Sequence, residues 1–354
     1  MSKLFTPLTI KSVTFRNRLA IPPMCQYSAE NGYANDYHLV HYGARSIGGA
    51  GLIIQEATAV SPEGRITPGD LGIWDNGHVD KLQAIASFIA AYGAVPGIQI
   101  AHAGRKAGCA KPWHGGKQLS PAEGGWQTVA PSGIPFAEGE NAPAALDDAG
   151  IRKVVNDFRN AAGSAAAAGY KVLEIHAAHG YLIHQFLSPL ANKRTDSYGG
   201  SFENRIRLLL EIVEAVNGNW PQHLPLFVRL STTDYIDGGW NPDETVRLAV
   251  ILKSKGIDLI DTSSGGMVPY AKIPFGPGYQ AGFAEKIRKE AGIMTGAVGL
   301  ITEARQAEEI LEKGQADLVL VGRQWLRDPH FALNAAKVLG DDIAWPEQYL
   351  RAKS

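Results

Sequence analysis

The run His176-Ala-Ala-His179-Gly-Tyr181 carries the clearest chemistry in this chain. Two imidazoles three residues apart, just past an apolar run, can turn the same way on one helical turn. Both can then donate to one oxygen, and such donors polarise a carbonyl and stabilise an enolate as its charge develops. Tyr181 is a phenol with an unperturbed pKa near ~10. It can give a proton to carbon and stay neutral at pH 7. The same pair admits another chemistry: His-x-x-His can hold zinc or iron, with Glu174, His102 or His184 as a third ligand at no diagnostic spacing. A metal-dependent barrel hydrolase or lyase is therefore the alternative, and either histidine alone could be a core residue.

Three further groups could act with that run. Val321-Gly322-Arg323 puts a close-approach glycine beside a guanidinium, a pairing suited to phosphate, and Gly296 and Gly299 could form the other wall. A tight turn with a surface arginine is the plainer reading. Arg229 follows the apolar Leu226-Phe227-Val228 and should meet an electron-rich partner, with Gln99 as a donor beside it. Either could be structural, Arg229 by pairing with an acidic neighbour. A lone cysteine is most often a small buried hydrophobe. Cys25 lies next to Met24 and two residues from Tyr27, which points to a cofactor contact, whereas Cys109 has no such context.

The elements that must position these groups alternate along the chain. Short apolar runs at Leu19–Ile21, Gly51–Glu56, Val95–Ile100, Lys171–Ile175, Pro225–Leu230, Ile257–Thr262, Ile293–Ala297 and Asp317–Val321 read as strands covered on both faces. Helical patterns lie between them at His38–Ile47, Val79–Ala91, Asp147–Ala168, Phe202–Val216, Pro242–Lys255, Ala281–Ala291, Thr302–Lys313 and Pro329–Leu339. Gly48, Gly93, Gly169, Gly256, Gly292, Gly314 and Gly340 are expected to close helices in the left-handed conformation, and Asn241-Pro242 to open one. Eight strands alternating with eight helices predict an α/β fold, a parallel (β/α)8 TIM barrel with an N-terminal hairpin. An open doubly wound sheet is less favoured, because no Gly-x-Gly-x-x-Gly run follows the first strand. One barrel domain over residues 1–354 is expected, with the Gly-, Pro- and Trp-rich stretch 103–145 after the third strand as a capping loop over the mouth. The barrel demands its chemistry at the C-terminal ends of strands. Pro23-Met24-Cys25, Glu56-Ala57, Gln99 with His102, His176 to Tyr181, Arg229, Gly296–Gly299 and Gly322-Arg323 all fall there.

Composition excludes several classes. The 354 residues are 45% hydrophobic and 19% charged, with a formal net charge of −1, which disfavours nucleic acid and anionic membranes as partners. No run of about 18 apolar residues predicts a spanning helix. Two cysteines cannot supply a disulfide framework or a four-thiolate cluster, and a reducing cytoplasm is the expected home.

The order and spacing of these runs resemble the Old Yellow Enzyme family of FMN-dependent ene-reductases, in particular its thermophilic-like class. The carriers are Pro22-Pro-Met-Cys-Gln-Tyr27, Gln55-Glu-Ala-Thr-Ala59, Gly97-Ile-Gln-Ile-Ala-His-Ala-Gly-Arg105, Glu174-Ile-His-Ala-Ala-His-Gly-Tyr181, Asn192-Lys-Arg-Thr-Asp-Ser-Tyr-Gly-Gly-Ser201, Val228-Arg-Leu-Ser231, Thr295-Gly-Ala-Val-Gly299 and Val321-Gly-Arg323. The resemblance implies FMN over the barrel mouth, with Pro22, Pro23, Met24, Cys25 and Ala57 along the isoalloxazine. Gln99 and Arg229 would bond its pyrimidine side, and Gly299, Gly322 and Arg323 its phosphate. Pro22 departs from the polar residue expected there. NADPH or NADH would reduce the flavin, which would pass hydride to the β-carbon of an α,β-unsaturated carbonyl or nitro compound. His176 and His179 would hold the substrate's oxygen, Tyr181 would protonate the α-carbon, and Tyr27 and Lys106 would touch the substrate. By the same resemblance, no metal takes part. Gln348-Tyr349-Leu350-Arg351 is similar to a tail whose arginine completes a neighbouring subunit's pocket, which implies a homodimer or homotetramer; a frayed basic tail, Arg351 to Ser354, is the alternative.

Overall fold

The computed structural model describes residues 1–353; Ser354, the last residue of the expected domain and tail, lies outside them. The chain opens with an antiparallel hairpin, β1 (Leu8–Ile10) and β2 (Val13–Phe15). It lies under the N-terminal ends of the barrel strands. Ser12 N–H donates to the His223 carbonyl and Arg16 Nε to that of Ala50.

The barrel follows: β3 (Leu19–Ile21), β4 (Leu52–Ala59), β5 (Val95–Ala101), then, past a small pair β6 (Val129–Ala130) and β7 (Ala144–Ala145), β8 (Val172–Ala177), β9 (Leu226–Ser231), β10 (Leu259–Ser263), β11 (Met294–Ala297) and β12 (Leu318–Leu320). All eight expected strands form. They pair in parallel in the order β3-β4-β5-β8-β9-β10-β11-β12, and β12 closes on β3. Every residue of β4, β8, β9 and β10 is buried, as expected of strands with helices outside and side chains filling the lumen.

The helices are α1 (Asp36–Ile47), α2 (Gly77–Ala91), α3 (Asp148–Ala167), α4 (Leu182–Leu187), α5 (Phe202–Arg205), α6 (Arg207–Asn217), α7 (Pro242–Ser254), α8 (Ala281–Ala291), α9 (Ala304–Glu312), α10 (Arg323–Arg327) and α11 (Phe331–Leu339). The single helix expected over Phe202–Val216 is two, joined at Ile206. The short α4 and α10, both just past site strands, have no apolar period long enough to be read in the sequence. Asn241 caps α7 as expected, its side chain accepting from Asp243 N and Glu244 N.

One closing glycine behaves differently from expectation. Gly48 has φ −71, and the left-handed residue is Gly49 at φ +98. Gly48 is needed for another reason: a Cβ there would lie 1.8 Å from the Pro329 carbonyl oxygen. The other six expected closing glycines do have positive φ.

Candidate active site

His176 and His179 do not share a helical turn. His176 is in strand β8. His179 sits in the following loop at φ +59, and Tyr181 is the residue before α4. The sequence pattern had suggested helical geometry, but tertiary contacts hold this loop left-handed. Lys106 Nζ donates to the carbonyls of His179 (2.8 Å) and Gly266 (3.1 Å). Ser231 Oγ accepts from His179 N–H and donates to the Gly265 carbonyl. The result still brings the three rings together. The His176 centroid is 5.0 Å from both His179 and Tyr181, with the planes near perpendicular.

The imidazoles are placed to donate. Nδ1 of His176 accepts from Ala178 N–H, so the proton of its neutral form belongs on Nε2. Nε2 of His179 lies 2.7 Å from Ser263 Oγ. When the hydroxyl donates to it, the proton moves to Nδ1 and the ring offers that donor instead. Burial, reinforced by Arg229, holds both rings well below the ordinary histidine range. Each is therefore neutral, with one N–H to give. Burial and the nearby Cys25 and Tyr27 push the Tyr181 phenol well above its ordinary value, so it keeps its proton.

Two cavities meet these groups. One, of about 320 Å³, runs from Pro22, Pro23 and Met24 past His179 and Arg229 to Gly299, Gly322 and Arg323. The other, about 180 Å³, is lined by Tyr27 and Tyr181 and by Lys106, Cys109, Phe136 and Glu140 of the 103–145 segment. Lys106 Nζ lies 5.1 Å from the Tyr181 ring centroid, and burial pushes its ammonium down to about 8. Ala57 falls where the β4–β5 register shifts between Gln55 and Thr58, a bulge that re-aims the backbone at the strand end. Burial keeps the neighbouring Cys25 thiol protonated. Gln99 donates from Nε2 to Glu174 Oε1 (2.8 Å), and Arg229 Nε lies 3.0 Å from Asp261 Oδ2. Arg351 is exposed and lines neither cavity. The tail folds back, with the Tyr349 ring 5.6 Å from His330.

A family model described as NADH:flavin oxidoreductase / NADH oxidase matches residues 3–342. The chain belongs to this family. It is 49% identical to an NADPH dehydrogenase of Bacillus velezensis over 352 residues, 99% of each chain. Among solved structures it resembles morphinone reductase (TM-score 0.80, 29% identity, 98% of this chain and 92% of that one). It also resembles an Old Yellow Enzyme homologue of Zymomonas mobilis (TM-score 0.79, 27% identity, 97% and 94%). The family read from the motifs is therefore the right one, and this flavin oxidoreductase uses FMN with NAD(P)H as reductant.

The larger cavity suits FMN. Its volume is within the range of small-ligand pockets, roughly 300–1,000 Å³. Its lining combines apolar Pro22, Pro23 and Met24 with the cations Arg229, Arg323 and Arg327. Gly299 has φ +119, which admits only glycine in practice. A Cβ on Gly322 would meet nothing nearer than 3.8 Å, so the backbone there faces open space. Among the described residues no three His, Cys, Asp or Glu side chains cluster as a metal site.

Sequence reasoning missed several residues of this flavin oxidoreductase. Ser263, Gln280 and Arg327 line the larger cavity, and Cys109, set aside for want of context, lines the smaller one. Ser263 ends β10 and could have been found by extending the strand-end rule to that strand. The others sit in loops or on a short helix, where spacing carries no signal.

Proposed function

We propose that this oxidoreductase reduces carbon–carbon double bonds activated by a carbonyl or nitro group. The observation that carries this reading is the pair of buried, neutral imidazoles beside a protonated phenol, with His179 lining the larger cavity and Tyr181 the smaller. His176 and His179 each offer one N–H to the substrate's oxygen, which gathers negative charge as the double bond is reduced. Bound FMN, reduced by NAD(P)H, supplies the hydride that reaches the β-carbon. Tyr181 then donates its phenolic proton to the α-carbon. Tyr27 closes the substrate side, and Lys106 both locks the His179 loop and faces the Tyr181 ring. Pro22, Pro23, Met24, Cys25 and Ala57 would line the ring system, Gln99 and Arg229 would hold its pyrimidine edge, and Gly299, Gly322 and Arg323 would hold the phosphate; of these, Cys25, Ala57 and Gln99 are not among the residues lining the larger cavity.

Residues 103–145 act as the cap of a single barrel domain, since their Cys109, Phe136 and Glu140 wall the substrate cavity. Arg351, remote from its own cavities, reaches a neighbouring subunit's pocket in a homodimer or homotetramer. The working site is the cytoplasm, where NAD(P)H is available. Among the described residues no helix is long and apolar enough to cross a membrane.

Anaerobic mixing tests the reading. NADPH should bleach the flavin absorbance, and a later addition of an enone should restore it. A flavin that NADPH bleaches and no enone or nitroalkene restores would overturn the assignment.

A further inference from the structure

Four side chains at the cofactor end of the lumen form a chain, and the proposed mechanism uses neither of its two acids. Gln99, Glu174 and Asp261 are 1%, 0% and 0% exposed, and Arg229 is 6% exposed. Strand register sets them in order: Gln99 lies beside Glu174 across β5 and β8, and Arg229 beside Asp261 across β9 and β10. Gln99 Nε2 donates to Glu174 Oε1. The Glu174 and Asp261 carboxyl groups act directly on each other's ionisation, and Glu174 Oε2 and both Asp261 oxygens are buried without a hydrogen-bond partner. Asp261 meets the guanidinium of Arg229 at 3.0 Å.

Two carboxyl groups can be hydrogen-bonded to each other only if one carries a proton, because an ionised carboxylate has no donor. Charge points the same way. Arg229 is the cation that acts on both carboxyl groups, and His176, beside Arg229 in the register, is neutral. One cation therefore faces two acids in a dry lumen, and a second uncompensated carboxylate there is disfavoured. No N–H or O–H donor reaches Glu174 Oε2. Neither Asp261 oxygen has such a donor either, so a proton held between the two carboxyl groups would serve both.

We infer that Glu174 and Asp261 share a single proton, and that this acid pair is a positioning element which orients the Gln99 amide and balances the charge of Arg229 at the cofactor cavity. Burial and the neighbouring Asp261 push the Glu174 carboxyl well above its ordinary value, in keeping with the shared proton. With Nε2 committed to Glu174, Gln99 has its carbonyl oxygen left to accept from the cofactor. The cofactor consequence rests on the proposed placement of Gln99 and Arg229 at the pyrimidine edge; the shared proton does not.

The test uses holoenzyme and the variants Glu174→Gln, Asp261→Asn and the double variant. Infrared spectra of the wild type at pH 8 should show a protonated-carboxyl carbonyl band that both single variants lose, because the remaining acid then ionises against Arg229. Glu56 could contribute a band of its own, so the assignment rests on that loss. A wild-type spectrum without a band that either variant removes would overturn the shared proton, whether or not the double variant folds. The flavin potential gives the second readout. Each single variant should change the reduction equilibrium less than threefold. The double variant should favour reduced flavin more than tenfold, about 30 mV for a two-electron couple, because the arginine has lost its counter-charge. Single shifts that simply add to the double would show two ionised carboxylates and overturn the inference. An unmoved potential in the double variant, with the infrared result intact, would overturn instead the placement of Arg229 at the flavin.

Discussion

Burial gives the site residues their protonation states. Desolvation leaves His176 and His179 as neutral donors and Tyr181 as a retained acid, so these three groups keep one charge state across neutral pH. Tyr181→Phe removes the proton and little volume. It should slow reoxidation of the reduced flavin by an enone about 10²- to 10⁴-fold, the usual worth of a positioned acid, and leave reduction by NADPH largely intact in stopped-flow traces. Equal loss in both half-reactions would count against the proton-donor role. Replacing both His176 and His179 by Ala should abolish the flavin spectral change that phenol-type ligands cause, since their oxyanion mimics the charge those rings receive. Tight binding of such ligands to the double variant would end the oxyanion-site reading.

At the scale of elements, the strands deliver the chemistry and the caps hold the helices that cover them. Asn241 accepts from two N–H groups at the start of α7. Asn241→Ala should cost about 1 kcal/mol, as lost N-caps typically do, read as a lower Tm with unchanged kcat and KM. The eight strands were legible because burial on both faces leaves unbroken apolar runs such as Leu52-Ile-Ile54, and Asn241-Pro242 was legible as local capping chemistry. Elements fixed by contacts distant in sequence were not. The left-handed turn at His179 depends on Lys106 and Ser231, and Gly48 is small because the Pro329 carbonyl packs against it.

The whole molecule has a pH response and an assembly to test. Burial raises Glu56 to about 8, although Gln26 N–H and the Tyr42 hydroxyl bond its carboxylate. A raised folded-state pKa means the contribution to stability is complete below the unfolded value, near ~4.3, and is lost as pH rises through about 8. Buried His38 and His102, lowered to about 4, act in the opposite sense and only below the unfolded histidine value, near ~6.5. Between pH 7 and 8 the Tm of the wild type should therefore fall more steeply than that of Glu56→Gln. Parallel slopes would show that Glu56 ionises freely in the fold. For the assembly, deleting residues 349–354 should raise KM for the enone several-fold without altering flavin content if Arg351 completes a neighbour's pocket. An unchanged KM would leave the tail without that role.

By itself the sequence determined the barrel, the family, and the identities of the groups at the strand ends, because parallel strands and their C-terminal residues are written in local apolar runs and spacing. Only the tertiary structure decided how those groups are held. The tautomer of His179 depends on Ser263 from another strand, the site's charge balance on Glu174 and Asp261 meeting in the lumen, and the remoteness of Arg351 on the folded tail. Each of these is a meeting of residues far apart in the chain, and such meetings exist only once the barrel has closed.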